Sequence, residues 1–218
     1  MRGLLRNNFY MTRTNAKAFT AIMILLGIFV VAMDNAVPSL IIGYMLSVMT
    51  GFSLNSIASV HKECATKWSR YKLTVPVRRA DIVKSLFFSQ LIWLFIGVIF
   101  AGTGAMLSIA LHGYPFDRDT DIFMLFVVGI GVSLFMGAVF FPLFFGGGEE
   151  RNEVFLAVSL FGGIGMVMGL TTLLNTFFPN GMSSWQIVMS GIAVLLCGVL
   201  FFCLSYPLTV FLFLKKEY

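Results

Sequence analysis

The side chains in this sequence best suited to chemistry are its bases. Lys62, Lys67, Arg70, Lys72, Arg78, Arg79 and Lys84 all fall within residues 61–85, "HKECATKWSRYKLTVPVRRADIVKS", in a chain that is only 11% charged. Lys and Arg interleaved with Trp68 and Tyr71 suit recognition better than catalysis, because Trp, Tyr and Arg dominate binding hot spots. The acids are dispersed: Asp34 stands alone, Asp117, Asp119 and Asp121 share one short loop, and Glu149, Glu150 and Glu153 surround Arg151 beside a Gly-rich turn. His61 and His112 lie at opposite ends of apolar stretches and share no metal. HExxH, GxSxG and the phosphate-cradling GxxxxGK[ST] patterns do not occur. Neither do the aspartate clusters of membrane phospho-alcohol or prenyl transferases. Cys64, Cys197 and Cys203 make no CxxC and no zinc spacing. The expectation is a chain with no catalytic, cofactor or metal site of its own.

The elements that must position the bases are apolar helices. The chain has 218 residues, 58% of them hydrophobic, with 24 Phe and 13 Met. A soluble domain carries about 25% charged residues, so this composition belongs to a polytopic membrane protein. Six stretches match the roughly 20 residues a spanning helix needs: 18–33, 39–60, 85–111, 122–145, 154–174 and 185–214. The fold class is all-α, a single membrane domain over 1–218. The first stretch is short and the third and sixth are long, which predicts tilts or breaks. Fourteen of the 15 Lys and Arg lie on one side of this arrangement, and Arg118 alone lies on the other. By the positive-inside rule both termini are cytoplasmic. The net charge of +5 therefore reflects topology and not a nucleic-acid partner. No small-residue cleavage site follows the first apolar stretch, so no removable signal peptide is expected. In residues 1–17, Leu4, Leu5, Phe9 and Tyr10 interleave with Arg2, Arg6 and Arg13. That pattern predicts an interfacial helix at headgroup level before the chain turns into the bilayer. The alternative is an unstructured basic leader that only sets topology.

No ionisable residue sits deep in any of the six stretches. Membrane enzymes and ion-coupled carriers normally keep one there, so both classes are disfavoured. Asn55, Gln90 and Asn175 are the strongest polar groups near or within the spans and are expected to hydrogen-bond between helices. Gly165 and Gly169 form a small-xxx-small pair, the kind that lets helices approach closely. Within the basic block, "ATKWSRYKLT" suits a short helix with Trp68 and Tyr71 three residues apart on one face. Pro76 then ends it, and "ADIVKSLFFSQL" restarts as helix. From the residues alone, this block is either a docking element or an interfacial loop whose aromatics sit among headgroups.

The residues "KWSRYKLTVPVRRADIVKSLFFSQL" resemble the cytoplasmic signature of type 2 ABC exporter permeases, the ABC-2 class, in its small six-span branch. There a Trp/Tyr-containing helix leads into Leu-Pro-Val-Ser-Arg and an Ile-Val-x-Ser/Ala-Lys run. This sequence has Val75 where Leu is usual, Arg78 where Ser is usual, and Leu86 after Ser85 where Lys is common. "FFGGGEERNEVFLA" is similar to a second landmark, Phe-Gly-x-Glu-Lys/Arg-x-Arg, with extra glycines and Asn152 as departures. The resemblance covers essentially the whole chain.

The resemblance implies a permease subunit whose ATP and Mg are bound by a separate cytoplasmic ABC ATPase. The 61–84 loop would hold the coupling helix, with Trp68 and Tyr71 as anchors. Lys67, Arg70, Lys72, Pro76, Arg78 and Arg79 would complete the ATPase-docking set, and Glu149, Glu150 and Arg151 would form a second cytoplasmic loop. It also implies a second permease chain, identical or paralogous, in a bacterial plasma membrane, and contact with membrane lipid. The expected function is export of an amphipathic peptide, antibiotic or lipid-like cargo. A non-transporting scaffold or sensor subunit, or an ion-coupled carrier, is the alternative.

Overall fold

The computed structural model describes residues 2–33, 38–65, 78–116, 118, 120–147, 151–176 and 183–215. Six helices account for nearly all of them: α1 (Arg2–Ala32), α2 (Pro38–Ala65), α3 (Arg79–His112), α4 (Thr120–Gly147), α5 (Asn152–Thr176) and α6 (Ser184–Lys215). All six are long and apolar enough to cross a membrane, and no strand occurs among the described residues. An even number of crossings puts the two ends of the chain on one side. The side bearing Arg78, Arg79, Arg151 and Lys215 is called the basic side below.

Helix boundaries follow from local chemistry. Pro38 opens α2, where a missing N–H costs nothing. α3 starts from an extended Arg78 (φ −66°, ψ 136°) and has Asp81 in its first turn, an acid where the helix dipole favours one. It ends on Gly113 at φ 82°, whose N–H donates to the Ile109 carbonyl at 2.9 Å. α6 opens on a reciprocal capping box: the Ser183 N–H donates to Gln186 Oε1 at 2.9 Å, and the Gln186 N–H donates to Ser183 Oγ at 3.4 Å.

α1 corrects one expectation. Residues 2–17 are helical, but no turn separates them from the first span. No proline interrupts this stretch, and Asn8, Thr12, Ala16, Met23 and Val30 lie buried on a single face at helical spacing. That face packs on α2 and α3, and the basic segment is the first four turns of a 31-residue helix. At 1.5 Å per residue it is roughly 46 Å long, against a hydrocarbon core of about 30 Å.

α4 is the centre of the bundle, with α2 and α3 on one flank and α5 and α6 on the other. Pro142 lies inside it and removes the hydrogen bond that the Ala138 carbonyl would otherwise accept. Ser205 of α6 supplies a replacement, its Oγ donating to Ala138 O at 2.7 Å. α5 is the most peripheral of the later helices. Gly163 is its point of close approach, since a Cβ there would lie 2.9 Å from the Val132 carbonyl oxygen of α4. A Cβ added at Gly165 or Gly169 would meet nothing within 4 Å beyond its own helix, so the small-xxx-small pair faces away from the rest of the bundle among the described residues.

Candidate functional site: the basic face of the bundle

On the basic side, one aromatic cluster joins all six helix ends. Phe87 of α3 is its hub, with ring centroids 4.5 Å from Phe141, 4.8 Å from Phe202 and 5.6 Å from Tyr206. Phe145 extends it to Phe213, in the last turns of α6, at 4.8 Å. Ile57 and Val60 of α2 are buried in the same cluster, and Leu4 of α1 and Phe155 of α5 pack against it. Tilted and edge-on ring pairs of this kind add attraction beyond the area they bury.

Beside the aromatics runs a ladder of buried hydroxyls and amides. Asn8 Nδ2 donates to Ser85 Oγ and Thr12 Oγ1 donates to Ser59 Oγ, each at 3.0 Å, fixing α1 to α3 and to α2. Ser56 and Ser89 share a hydrogen bond at 3.4 Å. Gln90 Nε2 donates to Ser53 Oγ at 3.2 Å and to the Ser133 carbonyl at 2.8 Å, so one amide touches α2, α3 and α4. Gly137 makes room for it, because a Cβ at that position would overlap the Gln90 amide. Gln90 thus does what its type predicted. Asn55 instead donates to the Gly51 carbonyl of its own helix at 3.0 Å, and Asn175 is exposed at the end of α5.

The bases sit at the rim of this platform. Arg78 is exposed immediately before α3. Arg79 is half-buried; its Nη1 donates to the Phe213 carbonyl at 3.4 Å, and its guanidinium lies 5.7 Å from that ring's centroid. It therefore ties the start of α3 to the last turn of α6, where unpaired carbonyls favour a cation. Arg151 is exposed at the start of α5, next to Asn152, which is buried. Lys67, Trp68, Arg70, Tyr71, Lys72, Pro76, Glu149 and Glu150 lie outside the described residues, and so does the expected coupling helix. What the structure does fix is where those segments begin and end: Ala65 and Arg78 for one, Gly147 and Arg151 for the other.

The family model described as "ABC-2 family transporter protein" matches residues 3–215. The chain belongs to the ABC-2 family. No curated protein and no solved structure matches it. Membership makes this ABC-2 chain a multi-pass membrane transport component and implies association with an ABC ATPase subunit. Asn8, Thr12 and the serines at 53, 56, 59, 85 and 89 were not singled out by sequence. Their spacing of three or four on α2 and α3 is the signal that was there to find.

Proposed function

We propose that this chain is the permease subunit of an ATP-driven exporter, energised by a cytoplasmic ABC ATPase that docks on the basic segment 61–84, whose first five residues end α2 and whose last six begin α3. The observation that supports this most is the family match over residues 3–215, together with a basic loop whose two ends are rooted in a cluster common to all six helices. Force applied at such a loop reaches every span at once. Trp68 and Tyr71 are the proposed anchors. Lys67, Arg70, Lys72, Pro76, Arg78 and Arg79 form the rest of the docking set, with Glu149, Glu150 and Arg151 as a second contact. The crowding of bases on one side favours cytoplasmic termini. A second permease chain, identical or paralogous, completes the path across a bacterial plasma membrane. The cargo proposed is an amphipathic peptide, antibiotic or lipid-like molecule, for which Phe- and Met-rich spans provide adaptable contacts.

The test is Trp68→Ala in the full chain, purified in mild detergent beside the unaltered protein. A P-loop ATPase should accompany the unaltered chain in near-equal amount and be lost from the variant, with transport lost in parallel. Transport that survives the substitution and follows a proton gradient would overturn the proposal.

A further inference from the structure

A groove runs along the outside of the bundle between α1 and α3, floored by α2. Its basic-side part is an open depression of about 340 Å³, lined by Arg13 and Lys17 and, among others, by Ala21, Ile24, Phe52 and Trp93. Ile24 and Phe100 also line a second cavity of about 440 Å³, which carries the groove on toward the other side of the membrane. The lining has two distinct chemistries in sequence order, two cations and then an apolar channel. α1 contains no Asp or Glu at all, and among the described residues no carboxylate pairs with either cation.

The dimensions identify a class of occupant. From Lys17, the deeper cation, to Ala32, the last α1 residue lining the second cavity, the helix advances roughly 22 Å. Half of a hydrocarbon core of about 30 Å is about 15 Å, the depth of one leaflet. We infer that this groove is a binding site for one anionic phospholipid of the leaflet on the basic side, with its phosphate at Arg13 and Lys17 and one acyl chain laid along Ala21, Ile24 and Phe52. Charge selects the headgroup, and an apolar channel long enough for a chain of full leaflet depth selects a lipid over a soluble phosphate. The site is separate from the docking loop and requires neither an ATPase nor a cargo. Its bound lipid fills the space between α1 and α3, which Asn8 and Ser85 join by a hydrogen bond at the basic end. Two cations near a membrane surface confer a preference on the order of thirtyfold for an anionic over a zwitterionic headgroup at low salt, diminishing as salt rises.

Trp93 is the built-in reporter, since it lines the groove and stacks on Phe9 at 5.2 Å and Phe52 at 6.0 Å. The experiment uses the full chain with Trp68 and Trp185 replaced by Phe, reconstituted in phosphatidylcholine vesicles containing a minor fraction of brominated-chain lipid. Brominated phosphatidylglycerol should quench Trp93 at far lower mole fraction than brominated phosphatidylcholine. R13Q/K17Q should bring the two lipids together, Arg6→Gln should leave the preference intact, and Ala21→Phe should weaken quenching by both. Equal quenching by the two lipids in the starting protein would overturn the site. So would a preference that survives R13Q/K17Q, or one that Arg6→Gln abolishes equally, because attraction would then be spread over the basic face.

Discussion

α2 and α3 meet twice, and the two meetings are built differently. Near the basic side their contact is polar: serines 53, 56 and 59 of α2 face Ser89 and Gln90 of α3 and Thr12 of α1. Farther along, it is a contact of backbones. A Cβ added at Gly97 would lie 3.2 Å from Met49 Cα and 3.3 Å from the Val48 carbonyl oxygen. Ala101 and Ala105 are buried in the same stretch, and Gly104 and Gly27 receive the ring of Tyr44. In lipid, helices gain nothing by hiding apolar surface from one another, so association rests on close packing or on hydrogen bonds. This pair uses one at each end. Hydrogen bonds specify direction and register and release one at a time, whereas interlocked backbones hold without a preferred exchange partner. The end that is hydrogen-bonded is also the end from which the proposed docking loop departs.

That contrast fixes an order of expected effects, measured as thermal or denaturant stability in detergent. Gly97→Val should be the most damaging, at about 3 kcal/mol, because the atoms it meets include backbone that cannot swing aside. Gly104→Ala should cost about 2 kcal/mol; its added methyl would lie 2.5 Å from Tyr44 Cε1, in a buried ring that Gly27 confines on the other side but that is side chain and not backbone. Gln90→Leu should cost only about 1 kcal/mol despite full burial, since interhelical hydrogen bonds in membranes average well below their gas-phase strength. Gly165→Ala, on the open face of α5, should change the isolated chain by less than about 0.5 kcal/mol. If Gln90→Leu proved costlier than Gly97→Val, the division of labour between the two ends would be the reverse of the one described.

Much of the fold was legible because hydropathy marks membrane helices strongly. The stretches 122–145, 154–174 and 185–214 became Thr120–Gly147, Asn152–Thr176 and Ser184–Lys215, a residue or two longer at each end. The large misses were at the basic ends of α1 and α2, where the helices continue well past the apolar stretch, whereas the helical start of α3 at "ADIVKSLFFSQL" was read to within a residue. A hydropathy pattern stops at the first charges, but a helix stops at a breaker, and no proline stands between Lys17 and Arg2. The site was less legible. Gln90 was visible as a polar residue in grease, but the serines were not, because a serine in a helix can equally bond the carbonyl of its own preceding turn. Ser85 does both, donating to Ile82 O at 2.7 Å while accepting from Asn8. Which helix supplies its second partner is a tertiary fact. Arg79 was read only as a docking base, and its second role at the end of α6 depends on a contact 134 residues away in sequence.

Pro142 gives α4 a joint one turn from its basic end, and Ser205 is the splint laid across it. The splint belongs to another helix, so the joint is stiff only while α6 lies alongside. A movement that slides α6 by a single turn would take Ser205 away from the Ala138 carbonyl and leave Pro142–Gly147 joined to the rest of α4 without that bond.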